Sequence, residues 1–297
     1  MANSIGKCYR EHTIDGCFVM TQVDIQPYVR QLRFWGVHCA AILGTIIFGF
    51  TLEAIVCCVL LYVVRMFGVT AGYHRYFSHR SFKTSRFFAF LLAILAQSSG
   101  QRGIIWWARN HRHHHRYSDR PNDIHSPKQN GFWHAHIGWI FHNEAYVEHD
   151  NVSDLESRWE LRFLNRFPML PAIILGFSCW FFFGWEGLFA GFFLSTVLLF
   201  HGTFTINSLA HVWGTRRYQT KDTSRNNWFL ALLTLGEGWH NNHHHYMHSA
   251  KQGFFWWEVD PTYYILKILS WMRIVWDIRD VPQRALQPRI PSRRRSS

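Results

Sequence analysis

The sequence predicts an all-α integral membrane protein, with four transmembrane helices paired as two hairpins beneath a cytosolic helical cap. Three observations carry this: two long apolar tracts, basic residues confined to the segments outside them, and histidine clusters in those same segments. The 297 residues include 31 Lys+Arg, 19 Asp+Glu and 20 His, with 26 Phe and 15 Trp. That apolar side-chain volume excludes a disordered chain. The mean hydropathy of −0.11 hides the segregation of apolar from polar sequence.

The first apolar tract, residues 34–64, carries Glu53 as its one charge, within a polar break at Thr51-Leu52-Glu53. The second, residues 167–209, carries only Glu186, within Gly184-Trp185-Glu186-Gly187. Each is too long for one span of ~20 residues and suits two joined by a short turn. This divides the chain into a cytosolic segment 1–32, a hairpin 33–73, a cytosolic or interfacial region 74–166, a hairpin 167–210, a cap 211–287 and a basic tail 288–297, expected to be disordered. No Lys or Arg lies between Arg33 and Arg65 or between Arg166 and Arg216, so the positive-inside bias puts both termini and the large loops in the cytoplasm.

The short apolar run 87–96 is read as interfacial or re-entrant, because a crossing there would place histidine clusters on opposite faces of the bilayer. The first 32 residues lack a signal-peptide apolar region. The six cysteines form no C-x-x-C pair and read as small buried apolar residues rather than a disulfide framework. The net charge of +12 suits anionic headgroups or an acidic soluble partner. No nucleic-acid-binding module accompanies it.

The histidines carry the chemistry. His74 and His79 follow the first hairpin; His111, His113, His114 and His115 form a second cluster; His240, His243, His244 and His245 form a third. At 100° per residue, His111, His114 and His115 share one helix face, as do His240, His243 and His244, while His113 and His245 point away. His74 and His79 stand about 140° apart on a regular α-helix, so both reach one site only if the helix ends between them, at Tyr76-Phe77-Ser78. Asn207 and His211, one helical turn apart, can face the same site, the amide holding a metal-bound water.

Single histidines are usually packed or solvated, which is the reading for His12, His38, His142, His149, His201 and His248; His125, His134 and His136 stay open. Three imidazoles stacked on one face, twice over, would be costly as core, since buried neutral rings need partners. Eight or nine histidines are too many for one ion and suit two ions with four or five ligands each. A zinc pair for hydrolysis would usually include carboxylates, which these clusters lack.

At these residues the sequence closely resembles membrane fatty acid desaturases of the stearoyl-CoA desaturase type, in particular bacterial members. The pattern H-x(4)-H, H-x-x-H-H, N-S-x-A-H, H-N-x-H-H falls at His74/His79, His111/His114/His115, Asn207/His211 and His240/His243/His244. The resemblance implies O₂-dependent insertion of a cis double bond, most simply at carbon 9, into a saturated acyl chain. It implies two iron ions held by those nine histidines, with Asn207 contacting a bound water. It also implies a bent substrate tunnel lined or guarded by Gln101, Trp107 and Arg109. Placement in a bacterial inner membrane is favoured over the endoplasmic reticulum.

Asn110 stands where animal acyl-CoA enzymes have Asp near the CoA head group, which leaves both acyl-CoA and acyl-lipid open as substrates. Phe204 replaces a usual Trp, and Asp123-Ile124-His125 replaces Asp-Pro-His. The chain has no C-x-x-C-H haem site and no cysteine set for a cluster. A separate electron donor, ferredoxin-like or cytochrome b5-like, with its reductase is therefore implied, and Arg216, Arg217 and Lys221 form a candidate docking patch. Phe254-Phe255-Trp256-Trp257 is read either as an interfacial anchor or as cap core. A membrane hydroxylase is the rival enzyme; a metal transporter would need ionisable residues within the spans, where there are essentially none.

Overall fold

The computed structural model describes residues 7–14, 17–142 and 151–287, and of residues 7–14 and 17–24 the backbone alone. The tail 288–297, expected to be disordered, and His149 lie outside the described residues.

Helix α1, Gln26–Phe48, has Pro27 in its first turn and ends at Gly49, whose φ of 85° closes it. Three residues later α2, Leu52–Phe67, starts from Thr51, whose hydroxyl accepts from the Ala54 N–H. The break therefore falls at the predicted polar turn. α2 runs on as a π-helix, Gly68–Ser78, giving one continuous helix of 27 residues, Leu52–Ser78.

Further on, Leu170–Val212 is helical for 43 residues, far more than a bilayer requires. It is interrupted at Gly184, whose φ of 67° and ψ of −159° suit a residue without Cβ. The chain folds back there: Gly176 lies against the Phe192 ring, which a straight helix would hold about 24 Å away. Among the described residues three helical stretches are thus long and apolar enough to cross a membrane, the last of them bent back on itself at Gly184. Their outward faces are apolar, with Ile46 and Phe182 each 73% exposed, as lipid-facing residues require. Cys39 is exposed on this outward face of α1, unlike the expected buried cysteine; Cys58 and Cys179 are buried, and the four described cysteines are unbridged.

The all-α expectation needs one correction. Strands β1, Lys7–Ile14, and β2, Cys17–Asp24, pair antiparallel with Ile14 opposite Cys17. The two residues between them in the sequence are Asp15-Gly16. Lys83–Thr84 and Val275–Trp276 form a second small sheet.

Two more helices position the site. α3, Arg86–Gln97, is an apolar helix of 12 residues, about 18 Å long and too short to cross. α4, Ile104–Tyr117, carries the second histidine cluster. Buried Gln97 joins them, donating to the Leu164 carbonyl and accepting from the Ile104 N–H. Met66, Val69, Tyr73 and Phe77 pack with Ala93, Ala96, Ile104 and Ala108 into one core, so the π-helix, α3 and α4 hold fixed positions.

Candidate metal centre

Nine imidazoles converge in two adjacent groups. His74, His79, His111, His115 and His243 offer ring nitrogens all within 4.8 Å of one another, and so do His114, His211, His240 and His244. The groups touch where the His115 ring stacks on His244, centroids 4.6 Å apart. All nine histidines expected from the sequence lie here. His113 and His245 lie apart, bonded through Nε2 to the carbonyls of Asn122 and Ala285.

Local geometry differs from the expectation in three places. The helix carrying His74 does not end between His74 and His79; it widens, and the His79 N–H bonds the His74 carbonyl, five residues back. That wider turn brings residues five apart close to one face, leaving the two Nε2 atoms 3.1 Å apart. Each H-x-x-H-H cluster also serves both groups: His111 and His115 join one while His114 joins the other, and His240 and His244 separate from His243. Finally, the helix carrying Asn207 breaks at Ser208, and His211 lies on a separate short helix, Leu209–Val212. Asn207 ends the longer helix, half-buried.

The two asparagines of His240-Asn241-Asn242-His243-His244 tie that helix to the segments on either side of it. Asn242 accepts from Asn226 and donates to Glu258, while the Asn241 carbonyl oxygen accepts from the backbone of Arg217 and Tyr218. Its histidines then face the opposite way.

Four carboxylates, absent from the sequence reading of the site, orient the rings. Nδ1 of His74 lies 2.5 Å from Glu237, Nδ1 of His114 3.0 Å from Asp123, Nδ1 of His211 3.3 Å from Asp119 and Nδ1 of His244 2.8 Å from Asp222. A carboxylate on Nδ1 fixes the proton there and turns the Nε2 lone pair inward. Burial alone would raise these acids. The partner imidazoles nevertheless hold Asp119, Asp123 and Asp222 well below the usual carboxylate range. Glu237 also pairs with buried Arg75, which reaches Asp260, so the π-helix and the third cluster share one ion network. The only sequence signal for these acids was adjacency: Glu237 precedes the third cluster by three residues, and Asp123 stands in the noted Asp123-Ile124-His125.

The donor set fits a cation. His79 Nε2 lies 3.1 Å from His74 Nε2 and 2.8 Å from His111 Nε2, and His243 Nε2 is 2.9 Å from His115 Nε2. One ring nitrogen carries at most one proton, so mutual hydrogen bonds cannot satisfy this cluster, whereas ligands at about 2.0–2.1 Å from an ion sit roughly 3 Å apart. Burial, then the neighbouring rings, pushes His79, His111, His115, His240 and His243 well below their ordinary pKa, keeping them neutral. His114 is raised, because Asp123 outweighs burial. His125 lies beside His114, its pKa pushed down to about 3 by burial and that ring. His114, Asp123 and His125 form a third close group, but Asp123 there serves the outer nitrogen of His114.

The three expected substrate residues differ in what they touch. Trp107 stacks on His111, centroids 4.9 Å apart, and on Tyr73 at 5.1 Å. Gln101 donates to the Thr203 hydroxyl at 3.0 Å. Arg109 is paired with Glu156 at 2.6 Å. Buried Asn110 donates to the Trp106 carbonyl of its own helix, and Phe204 packs with Phe34 and Phe200. The aromatic run divides: Phe254 is buried and Trp256 is 84% exposed.

Apolar helices long enough to cross a membrane, with nine buried or part-buried histidines in two groups that could each hold a metal ion, define a helical protein of membrane type. The comparisons give the particular family. A fatty acid desaturase family model matches residues 31–268, so the chain belongs to the fatty acid desaturase family and is an oxidoreductase of that kind. It is 38% identical to Delta-9 acyl-lipid desaturase 2 of Arabidopsis thaliana over 89% of this chain and 86% of that one. It is 36% identical to the sn-1 stearoyl-lipid 9-desaturase of Synechocystis sp. over 85% and 80% respectively. It is also 38% identical to an Acyl-CoA C20 Delta5-desaturase of Anemone leveillei over 75% and 73%.

Proposed function

We propose that this desaturase inserts a cis double bond at carbon 9 of a saturated, lipid-borne acyl chain, using two iron ions, O₂ and two electrons from a separate donor protein. The five-plus-four division of nine converging imidazoles, each group sized for one ion with room for a further ligand, carries the reading. Iron at these positions would supply O₂ activation and one-electron chemistry that no side chain offers. Imidazole sites suit iron, and the acids here sit outside the donor set, unlike those of hydrolytic zinc pairs.

The protein's own part is placement and exclusion of water. Four carboxylates hold ring orientation, Asn207 offers a neutral amide to a water at the edge of the four-histidine group, and Trp107 walls the five-histidine group against His111. Gln101 and Arg109 flank the approach of the acyl chain. A lipid carrier is supported by Asn110, whose amide is turned inward, and by the two relatives named as lipid 9-desaturases. In this reading the helices form two membrane hairpins that turn at residues 49–51 and at Gly184. Both termini and the cap then lie in the cytoplasm of a bacterial cell, with α3 at the interface.

The donor, ferredoxin-like or cytochrome b5-like with its reductase, approaches at Lys221, which is exposed and adjacent to Asp222 and hence to His244. Arg217, expected to dock it, is instead paired with Glu258 and lies over the Phe255 ring, and Arg216 bonds the Asp222 carbonyl.

The test is to express the protein with a donor chain in a host unable to make monoenes, and to locate double bonds in its lipids by mass spectrometry. A cis-9 monoene on glycerolipid is expected. A hydroxy acid would replace desaturation by hydroxylation, and a double bond elsewhere would overturn the regiochemistry.

A further inference from the structure

One helix outside the long apolar tracts carries large apolar side chains on its outer face. This helix, α5, Pro261–Trp271, buries Thr262, Tyr263 and Leu266. Its other side presents Tyr264, Lys267, Ile268 and Trp271, which share one face at 100° per residue, and Met272 extends it. Trp271 is 76% exposed and Met272 62%, and Trp276 in the small sheet that follows is exposed as well. A helix bordering water keeps polar residues outside, so a contiguous apolar outer face marks a contact surface.

The helix is held so that this face stays outward. Asp260 caps it by accepting from the Tyr263 N–H, and the same carboxylate pairs with Arg75 of the π-helix at 3.0 Å. The Thr262 hydroxyl lies 2.7 Å from that of Thr70. Leu266 and Leu269 pack in one core with Phe67 of α2 and with Phe88 and Leu92 of α3.

These contacts also set its height. Phe67 stands about 22 Å beyond Leu52 along α2, so a hydrocarbon core of about 30 Å that begins at Leu52 still reaches it. Leu266 and Leu269 then lie level with the near boundary of the bilayer, beside α3, whose Phe87 and Leu91 are exposed. Charge agrees with that level. Residues 261–276 hold Lys267 and Arg273 and no acid; both are exposed, and nearby Lys83 and Asp277 pair with each other at 2.8 Å. Outward Trp and Tyr flanked by cations suit the headgroup boundary of a membrane.

We propose that α5 is an in-plane membrane anchor, with Tyr264, Ile268, Trp271 and Met272 set into the leaflet nearest the metal centre and Lys267 and Arg273 against anionic phosphate headgroups. The inference rests on the reading of the long helices as membrane hairpins. It seats the segment 211–287 in the bilayer at α5, instead of leaving it held above the membrane by the hairpins alone. Through Asp260, Arg75 and Glu237 the anchor is joined to His74, which gives the metal centre a fixed height over the leaflet.

The test uses the full chain in vesicles of equal phosphatidylcholine and phosphatidylglycerol, with photoreactive p-benzoylphenylalanine replacing Trp271, Phe182 or Lys221 in turn. After illumination the adducts are identified by mass spectrometry. Lipid capture at position 271 should match that at position 182 on the apolar hairpin and far exceed that at exposed position 221. Phosphatidylglycerol should be captured at 271 roughly fivefold over phosphatidylcholine, and Lys267→Glu with Arg273→Glu should remove that preference. Equal capture of the two lipids by the unsubstituted pair would overturn the headgroup contact.

Lipid adducts at 182 with none at 271 would overturn the anchor, as would a cross-link from 271 to a second copy of the chain or to the donor protein. No lipid adduct at either position would overturn the membrane reading and the anchor with it. None of these readouts needs iron or turnover. Protein that makes no monoene yet captures lipid at 271 would defeat the desaturation reading and leave the anchor standing.

Discussion

The two histidine groups lie side by side yet are built differently. In the group of four, His114, His211 and His244 each direct Nδ1 at an aspartate. In the group of five His74 alone has such a partner among the described residues, Glu237, and that acid is shared with Arg75. Carboxylate-backed imidazoles are stronger donors, and their charge stabilises positive charge nearby. The four-histidine position therefore compensates a missing fifth ring with three negative charges, while the five-histidine position relies on ligand number. Two ions in such surroundings would not be equivalent, which suits a centre that takes up electrons one at a time.

The largest test of this arrangement compares neighbours on α4. His114→Ala should abolish turnover and remove one ion per chain with the protein still inserted, whereas His113→Ala should keep most activity. Equal losses, measured as iron content and monoene yield, would break the assignment of faces. A smaller effect separates the two groups. Asp222→Asn keeps the shape but removes the charge behind His244, and should weaken one ion by roughly ten- to a hundredfold. Glu237→Gln should weaken binding less, because its charge is shared with Arg75. Iron titration giving the reverse order would refute the contrast.

The smallest effect is acid sensitivity of the metal-free protein. His79, His111, His115, His240 and His243 have folded pKa values well below 6.5. As pH falls below about 6.5 the unfolded chain therefore binds protons that the folded chain refuses. Stability should drop by up to about 1.4 kcal/mol per pH unit for each such ring. Four of the five belong to the five-histidine group, so His79→Phe should flatten the dependence of melting temperature on pH between about 7.5 and 5.5. His114→Phe should not, since Asp123 raises that ring. Equal flattening would remove the electrostatic difference.

Much of this was legible in the residues. Apolar tracts bounded by Arg33, Arg65, Arg166 and Arg216 located the long helices, and the turn at Thr51 and the reversal at Gly184 fell within the polar breaks. Helical spacing put His111, His114 and His115 on one face and His240, His243 and His244 on another and set aside His113 and His245, because an α-helix repeats every 3.6 residues wherever it is, while the full set of nine came from the family resemblance. The N-terminal strands were missed.

The sequence by itself determined which histidines of the second and third clusters share a face, since periodicity is a local property of the backbone. Only the tertiary structure decided how they are shared. Whether His114 joins His111 or His211 depends on which helix packs across from α4, and no spacing along one segment encodes that. The same holds for Asp119, Asp123, Asp222 and Glu237, acids without a helical repeat that become partners only when the chain folds around the histidines. The π-helix that brings His79 beside His74 is fixed by packing against α3 and α4, and the hydrogen bonds from His38 to His201 and from His201 to His136 join residues more than sixty positions apart.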